Sequence, residues 1–371
     1  MGHHRDLRLD TLRGFLLVLI TINHFGSWSP DSWWITQVTW QPFGYVSAAE
    51  GFVFLSGFIF SIVSMRYCAT PAELWRRSWR RAFDIYLHHL VLILGLAVCF
   101  LLFPFYRSVW MGWLSPHHLT PGTSTVASML LLHQPPYLDI LPMYVLFVLC
   151  SPLVLLLFSQ GRHGLVLAFS FLLWLLGQQV DLGAELTRAV FPGHCPGYFN
   201  ILSWQLLYVL GLWGGDRYQR NAPLHLLARK PVLASIFVAA SLFFLSRHLI
   251  VLPEITFLIE RSRLEWIRLA NFLLLAACVG GVFPKIAPHR HVSWLAFLGK
   301  HSLQVFSFQA VLLYLLAPAT EQIAIAENTL WFPSFVMAIT LCLSIPAFLH
   351  DQYRVRVLAA VASGAKYAPL T

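Results

Sequence analysis

Apolar residues fill this chain in runs of about 20, the length of helix that crosses the hydrocarbon core of a bilayer. Ten runs are separated by short polar or aromatic stretches: 9–27, 44–65, 83–104, 139–158, 163–180, 200–217, 231–250, 266–283, 297–317 and 330–349. The pattern predicts an all-α fold, a polytopic membrane helix bundle of about ten transmembrane helices, forming one integral-membrane domain over 1–371. The first run has a short apolar core preceded by Arg5, Arg8 and Arg13, as a signal peptide does. No small-residue cleavage site follows; Trp28, Trp33, Trp34 and Trp40 come next and suit an interfacial belt, so the run reads as a membrane helix. The stretch 123–133 is too short to span and is expected to lie at the interface or re-enter.

Composition removes the soluble alternatives. Of 371 residues, 58% are apolar and 11% charged, and the mean hydropathy is +0.67, against roughly 45–50% apolar and about 25% charged in a soluble domain. That excludes a disordered chain, a disulfide scaffold and an ordinary cytosolic enzyme. Six cysteines without a CxxC pair or a close Cys/His cluster carry no metal or redox signature.

The net charge of +9 reads as topology rather than as nucleic-acid binding. With a cytoplasmic N-terminus and ten spans, only Arg107, Arg188, Arg247, Arg261 and Arg263 fall in outer loops, and Arg13, Arg268 and Lys300 within or beside spans. The rest of the 25 basic residues fall inside. This asymmetry places both termini in the cytoplasm.

Ionisable residues inside spans are costly and each needs a reason. Arg13 and His24 are eleven residues apart, three helical turns plus about 20°, so they share one face about 16 Å apart along the axis. Alone, Arg13 reads as a snorkelling anchor and His24 as a packing residue; together they can line one groove. The second run, AAEGFVFLSGF (48–58), places Glu50 about two turns in from the outer end, at a depth near that of His24. Gly57, Ser61 and Ser64 share its face, a stripe that lets another helix approach closely. A carboxylate beside His24 would orient the ring and raise its basicity, which is how a general base is made. Arg76, Arg77, Arg80 and Arg81 satisfy the positive-inside rule and also offer a surface for a phosphorylated cytoplasmic ligand.

Two polar runs open helices at the outer mouth. One contains Asp139 and Tyr144, the other Asn200, Trp204 and Gln205. Asp139 suits a helix N-cap and Trp204 an interfacial belt. The same residue types bind sugars by hydroxyl hydrogen bonds and ring stacking. At the inner mouth, Lys300, His301, Ser302 and Gln304 either line a ligand path or cap a helix. Intramembrane His, Glu and Arg also suit the proton relay of a transporter, although neither the internal repeat nor the paired broken helices of many transporters is evident.

The runs RLDTLRG (8–14), AAEGFVFLSGF (48–58), LDILPMY (138–144), FNILSWQLLY (199–208) and LGKHSLQVF (298–306), with Arg-x10-His in the first helix, resemble the membrane acyltransferase-3 family. Within it they are most similar to the OpgC-type succinyltransferases of osmoregulated periplasmic glucans. The resemblance covers nearly the whole chain, in order. It implies a ten-helix enzyme of the bacterial inner membrane that moves an acyl group from cytoplasmic acyl-CoA to glucose hydroxyls of a glycan outside. His24 matches the family's essential histidine, Arg13 its paired arginine, and Glu50 an acidic position. Many relatives carry a further histidine late in the helix after the LGK-type motif; Gln309 stands near that place here.

The catalytic candidates are therefore His24 and Glu50, with Arg13, Arg76, Arg77, Arg80 and Arg81 for acyl-CoA. Those for the acceptor are Asp139, Tyr144, Asn200, Trp204 and Gln205. The expected co-substrate is succinyl-CoA or acetyl-CoA, with no tightly bound cofactor, no metal and no nucleic acid; the partners are membrane lipid, acyl-CoA and a glycan. Acetyl transfer to another envelope polysaccharide or lipid-linked sugar stays open, as do direct transfer and an acyl-enzyme.

Overall fold

The computed structural model describes residues 6–28, 39–114, 121–194, 196–220, 229–249, 257–282, 293–319 and 331–362. Trp33, Trp34, Cys195, Arg5, Lys285, Arg290 and Lys366 lie outside the described residues. Within them the chain is helical, with no strand. The helices are α1 (Leu7–Gly26), α2 (Ala48–Ser64), α3 (Pro71–Leu102), α4 (Pro104–Leu114), α5 (Pro121–Met129), α6 (Ile140–Ser159), α7 (His163–Gly177) and α8 (Leu182–Val190). There follow α9 (Ile201–Gln219), α10 (Lys230–Leu249), α11 (Trp266–Val282), α12 (Trp294–Lys300), α13 (Ser302–Leu316), α14 (Trp331–Cys342) and α15 (Ser344–Ala362).

Each of the ten apolar runs carries helix. Six stretches among the described residues are long and apolar enough to cross a membrane: Ala48–Tyr67, Pro71–Leu102, Ile140–Ser159, Lys230–Leu249, Ser302–Ala319 and Phe332–Arg356. The bent pair α7 and α8, which meet at 58°, makes a seventh if taken as one span. This is the helix content of a membrane protein. The runs that fall short do so for visible reasons. Helix α1 carries Asp10, Arg13, Asn23 and His24; α9 ends in Asp216 and Arg217; α11 has only 17 residues.

Three boundaries differ from the sequence pattern. Helix α3 begins at Pro71, a residue suited to a first turn, so the four arginines lie on the helix and not in a loop before it. Glu50 sits in the first turn of α2 rather than two turns in, because Ser47 caps the helix and the preceding backbone is extended. The ninth run breaks at His301 into α12 and α13. One helix, α6, continues through Pro152.

The chain forms two compact units. One comprises Met1–Thr36 and Pro288–Thr371, the other Gln37–Ala287. In the first unit α1 packs along α12 and against α13 and α14. Contact is backbone to backbone: a Cβ on Gly14 would stand 1.9 Å from the Leu295 carbonyl oxygen, and one on Gly299 1.9 Å from that of Asp10. The RLDTLRG and LGKHS runs therefore meet, and only glycine fits at either crossing.

In the second unit the most extensive pairing joins α2 and α9. Gly57 faces the Tyr208 carbonyl, Gly211 that of Phe54 and Gly215 that of Phe58; added Cβ atoms would lie 2.2, 2.1 and 2.3 Å from those oxygens. The small-residue stripe thus serves close helix packing, the mode expected where lipid supplies no hydrophobic drive between helices. Around this pair α3 packs on α6, α7 on α9, and α10 on α11.

Candidate functional site

Helix α1 starts where Asp6 accepts a hydrogen bond from the Arg8 backbone N–H at 3.0 Å, satisfying one of the free donors of the first turn. From there one uninterrupted helix carries both Arg13 and His24. His24 lies in the last turn and is partly exposed, while Leu17, Thr21 and Phe25 beside it are fully buried. Phe25 packs edge-on against Trp28 and against Phe335 of α14, with ring centroids 4.9 and 6.1 Å apart.

A polar path runs beneath the imidazole. Gln309 of α13, 1% exposed, places Nε2 3.3 Å from His24 Nδ1 and Oε1 2.8 Å from the Thr21 hydroxyl. Thr21 in turn lies 2.9 Å from the Leu17 carbonyl oxygen, one turn back on its own helix. Sequence reading noted Gln309 as a departure from a histidine pattern and did not foresee this contact. A glutamine on the largely apolar α13 is the available signal; its partner, 285 residues away, is not.

Glu50 is fully buried in the second unit. Its Oε2 accepts from the Ser47 backbone N–H at 3.0 Å and from the Ser47 hydroxyl at 2.5 Å, a capping box. Its Oε1 accepts from Arg268 Nη1 at 2.6 Å. Both members of the pair are essentially sealed from solvent, at 0% and 3% side-chain exposure. Arg268 Nε also donates to the Ile259 carbonyl at 3.2 Å. From the sequence Arg268 is a cation within or beside a span, one of three that could face a succinyl carboxylate, with Arg13 and Lys300; the fold makes it the ion partner of Glu50.

The acceptor candidates are turned inward. Asp139 is the residue before α6, but its carboxylate makes no cap and instead accepts from the Tyr198 N–H at 3.1 Å. Asn200 caps α9, accepting from Leu202 and Ser203 N–H and donating to the Gly177 and Val180 carbonyls. Trp204 is fully buried and donates to the Arg261 and Ser262 carbonyls at 3.2 and 3.0 Å. Gln205 exchanges hydrogen bonds with Ser170, at 2.7 Å each way. Tyr144 is buried against Phe52. These side chains tie α7, α9 and the 257–265 segment together.

The exposed groups near Asp139 and Trp204 are different ones. The Arg261 guanidinium lies 5.4–5.7 Å from the ring centres of Trp40, Tyr198 and Phe199, within cation–π range. Trp40 and Tyr198 are both exposed. Glu260 sits beside them, 3.5 Å from the Tyr198 hydroxyl. Partial burial pushes the Glu260 carboxyl up, but the Ser262 N–H and hydroxyl and the Arg268 charge outweigh it, leaving it below the usual glutamate range.

The four arginines of α3 are not equivalent. Glu73, one turn back, ion-pairs with both Arg76 and Arg77; the Arg77 contact is 2.7 Å. Arg77 also stacks over Tyr67, 4.0 Å from its ring centre. Arg80 is exposed and Arg81 partly buried. In the first unit, Lys300 pairs with Asp351 at 2.6 Å and His301 Nδ1 lies 2.7 Å from His350 Nδ1. The polar run at the helix break thus joins α12 to α15.

No curated protein and no solved structure matches the chain. One family does, with the description "OpgC protein", and it matches residues 5–355, which include α1, α2, α3, α9, α11 and α13 and so His24, Glu50, Arg268 and Gln309. A match of that extent shows that this chain belongs to the OpgC protein family.

Proposed function

We propose that this protein is a ten-span acyltransferase of the bacterial cytoplasmic membrane, with both termini inside. In this reading it transfers a succinyl group from cytoplasmic succinyl-CoA to glucose hydroxyls of a periplasmic glucan. Membership of the OpgC family carries a transferase role in general and suggests glucan modification. The observation that carries the finer reading is His24: an imidazole in the last turn of α1, partly exposed, with its Nδ1 facing a buried amide. That is the arrangement of a base oriented by a second group.

In the proposed reaction His24 removes the proton of a glucose hydroxyl as the sugar oxygen attacks the thioester carbonyl. The carbon–sulfur bond breaks, the acyl ester forms, and the imidazolium returns the proton to the departing thiolate of CoA. Arg80 and Arg81 hold the phosphates of the nucleotide, with Arg76 and Arg77 contributing through a surface they share with Glu73; Arg13, on the helix of His24, is a further candidate for acyl-CoA. Trp40 and Tyr198, grouped around Arg261, stack against and hydrogen-bond the acceptor sugar. Asp139, Tyr144, Asn200, Trp204 and Gln205 support the segment that presents them. Glu50 holds Arg268 and the start of α2.

The test uses purified protein in liposomes with labelled succinyl-CoA and glucan. The expected result is label in the glucan with the wild type and none with His24→Ala, the variant being equally well inserted. Transfer by His24→Ala near the wild-type rate overturns the assignment, and net solute accumulation without transfer makes the protein a transporter. Glu50→Gln separates a structural from a catalytic glutamate: a shifted pH–rate profile in surviving protein assigns Glu50 to catalysis. Mass spectrometry of glucans from a deletion strain names the acyl group, a lost succinyl or acetyl increment deciding between the two donors.

A further inference from the structure

Three short contacts link Leu17, Thr21, Gln309 and His24, and protons must be shared among them. The Thr21 hydroxyl lies 2.9 Å from the Leu17 carbonyl oxygen and 2.8 Å from the Gln309 amide, and that amide lies 3.3 Å from His24 Nδ1. A hydroxyl has one proton to donate. If Thr21 gives it to Gln309 Oε1, with Nε2 turned to His24, the oxygens of Thr21 and Leu17 face each other at 2.9 Å with no proton between them. Thr21 and Gln309 are 0% and 1% exposed, so no bulk water relieves that contact, and the lone pairs of two oxygens are held against each other at hydrogen-bond distance.

The opposite arrangement satisfies all three of these contacts. Thr21 donates to Leu17, the usual back-bond of a helical threonine. Its oxygen then accepts from Gln309 Nε2–H, and Gln309 Oε1 accepts from a proton on His24 Nδ1. The amide nitrogen and oxygen are interchangeable by a half-turn of the terminal torsion and are assigned by the network around them. Three contacts carry three protons in this arrangement; the other leaves one contact empty.

We infer that Gln309 is a positioning residue that holds His24 as the Nδ1–H tautomer and leaves the Nε2 lone pair as the base. The inference rests on His24 being the base of the proposed transfer. Each element has a stated task. The helical carbonyl of Leu17 fixes the Thr21 proton, Thr21 fixes the amide, and the amide oxygen fixes the ring. When Nε2 takes the proton of the acceptor hydroxyl, the imidazolium keeps its Nδ1–H bond to a carbonyl oxygen, which stabilises the positive ring. A carboxylate in that place would do the same more strongly, as in hydrolase triads. An uncharged amide orients the ring without a buried negative charge.

The tautomer is read directly by nitrogen-15 NMR of histidine-labelled protein in detergent micelles, the His24 signals being those missing from His24→Ala. The expected spectrum has a protonated-type Nδ1 and an unprotonated-type Nε2; the reverse pair overturns the inference whatever the activity. In Thr21→Val the amide loses its fixed partner, and the two tautomers should both appear; an unchanged spectrum also overturns it. For activity, Gln309→Met should lower kcat by at least about 10-fold with KM changed less than 3-fold, towards a ceiling of about 10⁴-fold for a mis-set tautomer. Gln309→Glu accepts from Nδ1–H and should restore turnover above the Gln309→Met level. Its pH–rate profile should have its acidic limb moved upward, because a carboxylate favours the imidazolium. Equal activity of Gln309→Met and wild type removes the positioning role. If His24→Ala itself transfers acyl groups, the proposed function fails while the spectra still decide the tautomer.

Discussion

The Glu50–Arg268 pair permits a quantitative test of what holds the second unit together. Glu50 receives Ser47 N–H and hydroxyl on one oxygen and Arg268 on the other, and both side chains are sealed from solvent. Charge centres about 4 Å apart attract by about 4 kcal/mol at an effective dielectric constant of about 20. Removing one partner strands the other charge, which typically costs about 3–5 kcal/mol. Glu50→Gln keeps the shape but must present an amide N–H to Ser47 or to Arg268, so a capping contact worth about 1 kcal/mol is lost as well. We expect Glu50→Gln and Arg268→Met each to destabilise by about 4 kcal/mol, on the scale of a broken buried pair. The double variant leaves no orphaned charge and should cost no more than either single change. Equilibrium unfolding in mixed micelles of rising dodecyl sulfate content measures all four proteins. A coupling of at least about 4 kcal/mol is the expected result, the two single costs less a double cost no greater than one of them. Additivity within about 0.5 kcal/mol, as for independent sites, refutes the account.

Other predictions concern packing, ligands and pH. Gly299→Ala places a methyl group 1.9 Å from the Asp10 carbonyl and should destabilise the first unit by about 3 kcal/mol, the upper range for overpacking; unchanged thermal stability in detergent contradicts the backbone crossing. Arg80→Ala should raise KM for acyl-CoA with kcat nearly unchanged, and the effect should fade with added salt, as expected of an exposed charge; a salt-independent loss of kcat contradicts phosphate binding. Tyr198→Ala should raise KM for the glucan several-fold and leave KM for acyl-CoA alone, measured by varying each substrate in turn. Glu260 has its carboxyl held below the usual glutamate range. Its contribution to the 257–265 segment is therefore complete above the unfolded value of about 4.3 and lost as pH falls through the lowered folded value. The protection of that segment against hydrogen exchange, corrected for the intrinsic rate at each pH, should fall on acidification in the wild type and lose this dependence in Glu260→Gln.

Much of the architecture was legible in the order of residues. Helix content and membrane character follow from apolar runs, because a bilayer demands about 20 such residues per span. The placement of Arg13 and His24 on one helix follows from spacing alone. The packing role of Gly57 also follows, since a stripe of small residues has little other use among apolar helices. The resemblance to OpgC-type proteins rested on five ordered runs, all within the matched region.

Tertiary structure alone decided the partners. His24 meets Gln309 across 285 residues and Glu50 meets Arg268 across 218; no local period encodes such a pairing. It also decided which polar residues face inward. Asp139, Asn200, Trp204 and Gln205 have the chemistry of sugar contacts, yet in the fold they bond the backbone and side chains around them, while the neighbouring Trp40 and Tyr198 are the exposed ones. The physical reason is the same in each case. Residue type sets what a side chain is able to bond, whereas in a buried, low-dielectric interior the groups folded next to it determine which of those bonds must be made.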